Sequence, residues 1–191
     1  MNERVAPYVY KELARSGHLW KYHSEAFKFT AETLYEAAHI SEYGIRTDVK
    51  THDIITYLFL IGLSLETLLK GLIVEADPTL IRDVPVPRCT SDLPSYRLER
   101  SLKTHELSRL AKLAEKTTQR DLSIDSEARE LLERLTFFVI WEGRYPVAIK
   151  SKDQQSYYFR SIDDRKVFER LWERLSTALE EVAEKRRQQQ S

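Results

Sequence analysis

The feature that most constrains this chain is a long apolar segment with helical spacing. From Ile54 to Leu65 there are 12 residues without a charge. Apolar side chains recur at alternating spacings of four and three, at Ile54, Leu58, Ile61, Leu65, Leu68 and Leu72. A stripe with this period forms one face of an α-helix. Because about 20 apolar residues are needed to span a bilayer, we predict a buried central helix over residues 51–76 and no membrane crossing.

The rest of the chain predicts further helices around this one. Helical spacing of apolar residues marks residues 20–40, a segment after Thr104, residues 126–142 and a segment after Ser161. Glycine and proline number only five and six, which is few for a sheet protein with many tight turns. We therefore predict an all-α fold, an up-and-down bundle of four to five main helices in a single domain over residues 1–191, with a flexible tail at 187–191.

Two of the connections are long. Residues 77–101 contain four prolines and little periodicity, which predicts a long proline-rich loop. A polar, aromatic connection follows the fourth helix, and alternation over residues 147–150 allows a tiny hairpin there. Because short connections make neighbouring helices antiparallel, we expect helices two and four to point the same way. The loops after Ala76 and Glu142 would then emerge at one end of the bundle.

Composition narrows the possible functions. Basic and acidic residues both number 30, so the net charge is zero and any attraction to nucleic acid has to be local. Cys89 is the single cysteine, which excludes an internal disulfide and a thiolate zinc site. The histidines show no metal-binding spacing, and we predict no metal and no cofactor. A lone thiol, with no apolar run at the N-terminus, suits a cytoplasmic protein.

The basic residues are concentrated in two segments. Residues 82–112 and residues 143–170 each hold seven basic side chains against four acidic ones. If both segments lie at one end of the bundle, a neutral protein acquires a basic pole that also contains tyrosines. Cations beside aromatic faces suit phosphates and bases. The sequence also allows an ordinary solvated surface of mixed charge.

Two residue pairs are candidates for chemistry. Arg100 and His105 lie five positions apart. An imidazole can act as general acid or base on a phosphodiester, and a guanidinium beside it can stabilise the negative charge that develops there. The spacing also arises by chance, and His105 suits the first turn of a helix. Glu66 and Lys70 form an i, i+4 pair in the favourable order, either a structural pair or part of a site. No Walker A, dinucleotide, serine-hydrolase or zinc signature is present.

Three segments in this order resemble the HEPN family of helical domains. They are ETLLKGLIV at residues 66–74, THELSRL at 104–110 and WEGRYPV at 141–147. The likeness covers about residues 50–150. It implies a bundle of four or five helices, often dimeric. It also implies RNA cleavage, nucleotide or RNA binding, or partnership with a nucleotidyltransferase.

The resemblance, transferred to this sequence, implies that Glu66, Lys70, His105, Arg144 and Tyr145 occupy motif positions. Ribonucleolytic members carry a histidine four to six residues after the arginine, and none follows Arg144 at that distance. Binding is therefore favoured over cleavage.

Our hypothesis from the sequence is a nucleotide- or RNA-binding module, homodimeric, in a prokaryotic toxin–antitoxin or defence system. The predicted ligand contacts are Arg144 and Tyr145, assisted by Arg100, Lys103 and Lys150. Two alternatives stay open. One is a metal-independent ribonuclease that uses Arg100 and His105, and the other is a non-catalytic, antitoxin-like interaction protein.

Overall fold

The computed structural model describes residues 12–37, 51–84, 95–142 and 161–190, and 85% of the interpretable residues are helical. The predicted all-α bundle is confirmed. The long helices are α1 (Gly17–Ala37), α2 (Thr51–Ala76), α3 (Leu107–Thr118), α4 (Ser126–Phe137) and α5 (Ser161–Gln190). A π-helical turn, Phe138–Glu142, extends α4 to the residue at which the sequence predicted its end. Helix α5 continues through Gln190, within the stretch predicted as a tail.

Helix α2 is the centre of the bundle. Its side chains Ile61, Leu65, Leu68 and Leu72 have no exposed surface, and it packs against all four other helices. Within the part of the chain that the structure describes, one span, Asp53–Ala76, is long and apolar enough to cross a membrane. Since 78% of its most apolar window is buried inside the bundle, we interpret it as the core helix of the fold.

Helices α1, α2 and α5 are locked in register by one buried polar network. The Trp172 indole N–H on α5 lies 2.9 Å from the hydroxyl of Ser24 on α1 and 3.0 Å from that of Ser64 on α2. The Ser24 hydroxyl also donates to the Ser64 carbonyl at 2.9 Å. At the start of α1, two turns before Ser24, the Gly17 amide donates to the Glu75 carboxylate at 2.6 Å. These contacts make α1 antiparallel to α2.

The connection between α2 and α3 contains a small sheet, which corrects the prediction of a long proline-rich loop there. Strand β1 (Ile81–Val84) pairs antiparallel with β2 (Ser95–Leu98), and Ile81 lies opposite Leu98. Each strand has only four residues, too few for the alternation to stand out in the sequence. The tiny hairpin predicted over residues 147–150 lies outside the described residues.

This connection also changes the direction of α3. His105, just before α3, contacts Glu66 near the middle of α2, whereas Thr118, at the end of α3, lines the same groove as Glu75. Helix α3 therefore runs parallel to α2. The reason is that the chain returns along α2 before the next helix starts: the Glu99 amide still donates to the Leu80 carbonyl, beyond the end of α2, at 2.8 Å, whereas His105 lies beside Glu66.

The expectation that helices two and four point the same way is therefore wrong. Helix α4 is antiparallel to α5, because Arg134 pairs with Asp164 while Arg170 pairs with Glu127. Helix α5 runs parallel to α2, because Trp172 contacts Ser64 and Arg186, further along α5, contacts Glu75. The ends of α2 and of the π-helical turn therefore lie toward opposite ends of the bundle. The start of α3 lies beside the end of α4 instead.

Gly71 allows the close approach of α1 to α2. A Cβ atom at this position would lie 2.6 Å from the Trp20 Cβ and 3.3 Å from the Gly17 carbonyl oxygen. A glycine-to-alanine change inside a helix otherwise stabilises it by roughly 0.5–1 kcal/mol. We expect Gly71→Ala to lower the free energy of unfolding by about 1–3 kcal/mol in urea denaturation, because the new Cβ would overlap the Trp20 Cβ and neither atom can move by side-chain rotation. Thr177→Ala, on the exposed face of α5, is the control for helix propensity and should be neutral or stabilising. An equally stable Gly71→Ala protein would contradict this packing.

Candidate functional site

Three of the residues singled out from the sequence form one cluster. Lys70 Nζ lies 2.7 Å from Glu66 Oε1 on α2. His105, which precedes α3, places its Nδ1 atom 3.0 Å from each oxygen of the Glu66 carboxylate. Glu66 and His105 are 39 residues apart in the sequence. The fold therefore joins a pair from one motif with the histidine of another.

The cluster is buried on one side and open on the other. Glu66 and Lys70 are only 6% and 7% exposed, whereas the His105 side chain is 37% exposed. Lys70 compensates the Glu66 charge, which burial alone would make very unfavourable. Of the two neutral tautomers of His105, this contact favours the one with its proton on Nδ1. In that tautomer Nδ1–H donates to Glu66 and Nε2 keeps its lone pair. No partner for Nε2 occurs in the described part of the chain. The arrangement presents an oriented imidazole at the surface.

The chain around His105 is fixed on both sides. Leu102 and Leu107 are fully buried and anchor the segment against the core. The Leu107 amide donates to the Thr136 hydroxyl of α4 at 3.0 Å. This contact supplies a capping acceptor to α3, because its N-cap residue Glu106 makes no side-chain cap. Helices α2, α3 and α4 therefore all position the imidazole.

Exposed cations without acidic partners flank this histidine in the sequence, over residues 97–112. They are Arg97, Arg100, Lys103, Arg109 and Lys112, and none makes an ion pair with any residue in the structurally described ranges. Many cations on the other helices are paired. Lys21 binds Glu180, and Arg165 donates to Glu169 at 2.9 Å. The described segment 97–112, which contains His105, therefore carries five exposed cations without an ion pair in the described residues.

Helix α3 continues this surface in a direction that the sequence reasoning missed. Arg109, Lys112 and Lys116 are exposed and lie at positions i, i+3 and i+7, on one face of the helix. Lys116 lies four residues beyond the basic segment 82–112 that the sequence marks. The spacing of the three cations is the signal that finds it.

The predicted residues are brought together only in part. Arg100 begins a short 3-10 turn, Arg100–Leu102, is exposed, and makes no hydrogen bond to His105. The partner of the histidine is Glu66 instead. Lys103 follows the same turn and is also exposed.

Arg144, Tyr145 and Lys150 lie outside the described residues. The described chain reaches Glu142, at the end of the π-helical turn that follows Thr136. The chain leading to Arg144 therefore starts from the side of the bundle on which α3 begins.

Metal ligands and known relatives give no further assignment. Within residues 12–37, 51–84, 95–142 and 161–190, no group of three His, Cys, Asp or Glu side chains is arranged to hold a metal ion. Comparison of the chain with family models, with curated proteins and with solved structures finds no match. The geometry of the site therefore carries the functional argument.

Proposed function

We propose that this protein is a nucleotide- or RNA-binding module whose phosphate contacts centre on His105. The observation that carries the proposal is the run of five exposed cations in the segment 97–112 that make no ion pair within the described residues, on either side of His105 in the sequence. This is also one of the activities that the HEPN resemblance implies. A place in a prokaryotic toxin–antitoxin or defence system, with a nucleotidyltransferase or antitoxin partner, rests on the resemblance alone.

Unpaired cations suit this role for a physical reason. A cation that already binds a carboxylate has to lose that contact before it binds phosphate, whereas Arg100 and Lys103 make no such contact within the described residues. Neutralisation of phosphates releases counterions from the nucleic acid, which drives binding and makes it depend on salt. The zero net charge of the chain limits this attraction to the local surface.

The proposal is tested by fluorescence anisotropy with a labelled single-stranded RNA. In single strands, each phosphate contact contributes about 0.7 to the slope of log affinity against log salt. We expect the double variant Arg100→Gln/Lys103→Gln to lower the magnitude of that slope by about 1.4. At about 0.1 M salt, the same arithmetic gives an affinity loss of roughly 25-fold.

The matched control removes the same charge from another surface. Lys166 and Lys185 on α5 are exposed, and neither has an acidic partner in the described ranges. The double variant Lys166→Gln/Lys185→Gln should keep the wild-type slope. Equal losses in the two double variants would show nonspecific attraction. Absence of wild-type binding at low salt, to the RNA and to nucleotides alike, would refute the proposal.

One contact favours a second function, a metal-independent ribonuclease. The Glu66 carboxylate lies 3.0 Å from His105 Nδ1, and the His105 side chain is 37% exposed. Nε2 has no partner within the described residues, so it can accept a proton. In such a reaction Nε2 takes the proton of a ribose 2′-hydroxyl, whose oxygen bonds to the adjacent phosphorus. The bond from phosphorus to the 5′-oxygen breaks, and that oxygen takes a proton from the imidazolium or water. The products are a 2′,3′-cyclic phosphate and a free 5′-hydroxyl.

A further inference from the structure

The outward face of α1 carries two aromatic side chains that the bundle does not cover. Tyr22 and Phe29 are 66% and 71% exposed, the largest such fractions among the described large hydrophobic residues. They lie seven residues apart, so both project from the same face of the helix. Ala26, which is also exposed, lies between them. The opposite face, with Ser24 and Ala31, is the one buried against the bundle.

This face is less polar than its sequence suggests. The hydroxyls of Thr30 and Thr33 donate to the carbonyls of Ala26 and Phe29, at 2.8 and 2.9 Å. Each threonine therefore uses its polar group within the helix and is left with its methyl group as an apolar contact. We call the exposed set the α1 strip: Tyr22, Ala26, Phe29, Thr30 and Thr33.

The two lysines beside the α1 strip are paired within the chain. Lys21 pairs with both Glu25 and Glu180, and Lys28 pairs with Glu32. Glu36, three residues beyond Thr33, is exposed and makes no ion pair within the described residues. The strip itself is uncharged and both lysines beside it are paired, which favours an apolar partner over a polyanion.

We propose that the α1 strip binds the α1 strip of a second copy of this chain, with the two helices antiparallel. The strip is self-complementary, because its two large side chains flank a small one. A two-fold axis beside Ala26 puts Tyr22 of each copy on Phe29 of the other and lets the helices approach closely at the alanine. In the same register Lys21 faces Thr30 of the other copy, so the two Lys21 ammonium groups do not meet.

The buried area sets the expected strength. An aromatic side chain buries about 150–250 Å², so the exposed parts of four such rings supply roughly 550 Å². Ala26, Thr30 and Thr33 of both copies add to this and bring the total toward the lower limit of about 1,200 Å² for specific interfaces. We therefore expect a reversible dimer that depends on concentration. It does not rest on the proposed RNA binding.

Light scattering of the full chain over a concentration series of about 1–100 µM tests the interface. We expect a wild-type dimer and a monomeric Phe29→Glu variant at every concentration. Thr177→Glu places the same charge on an exposed position of α5 and should remain dimeric. A monomeric wild type would overturn the proposal and indicate that the strip serves another occupant. An unaffected dimer in Phe29→Glu would also overturn it.

Cysteine cross-linking in a Cys89→Ser background tests the orientation. With antiparallel helices, Ala26→Cys lies near its own copy across the axis and should form a disulfide-linked dimer on mild oxidation. His18 is exposed near the start of the same helix, and in this register it lies opposite Thr33 of the other copy. His18→Cys should therefore form no disulfide-linked dimer. Cross-linking of both variants would show parallel helices and would overturn the antiparallel arrangement.

Discussion

Replacement of Glu66 by leucine is expected to lower the free energy of unfolding by about 3–5 kcal/mol. The Lys70 ammonium is only 7% exposed, and Glu66 is its acidic partner at 2.7 Å. Without that carboxylate, a buried positive charge is left uncompensated. His105 loses its partner as well, so the segment before α3 is held less firmly. Urea denaturation followed by circular dichroism measures the loss.

A second substitution separates the effect of the unpaired charge from the effect of lost packing. Lys70→Met in the Glu66→Leu background removes the orphaned charge and keeps a similar volume, and we expect it to recover most of the stability. Replacement of a buried ion pair by apolar residues is often neutral. If the double variant is no more stable than Glu66→Leu alone, the loss comes from shape and not from charge.

His105→Asn is expected to lower RNA cleavage by about 10²–10⁴-fold in EDTA, the range over which a positioned acid or base contributes. Asparagine keeps a hydrogen-bonding side chain toward Glu66 but cannot accept and return a proton at neutral pH. The rate is measured with a single-stranded RNA, and the products are examined for a 2′,3′-cyclic phosphate end.

The control for this variant is His23→Asn, at an exposed histidine of α1 that lies outside the cluster. It should leave the rate unchanged. Equal cleavage by wild type and His105→Asn would assign the activity to a contaminant or to another site. A wild type that binds RNA but does not cleave it would leave binding as the function of the site.

The helices were predictable because each buries a periodic stripe. Helix α2 has the bounds that its pattern predicts, and its core positions, such as Leu65 and Leu72, are fully buried. The relative direction of α3 was not predictable, because it depends on the path of residues 77–106. Four-residue strands give almost no periodic signal, so the pairing of Ile81 with Leu98 does not show in the sequence.

The candidate site was predictable in its members but not in its contacts. Sequence spacing paired His105 with Arg100, five residues away, because only local distances can be read from a chain. The actual partner, Glu66, lies on another helix and is reached through the tertiary fold. Unpaired charge is likewise a property of three dimensions, since a count of basic residues does not tell which cations already bind a carboxylate.

The most direct test of RNA binding at this surface is to follow the histidine side chains by NMR during an RNA titration. The imidazole signal of His105, assigned with His105→Asn, should shift in proportion to the RNA bound. The signal of His23 should stay in place. Saturable RNA binding with an unchanged His105 signal would contradict a phosphate site centred on this residue.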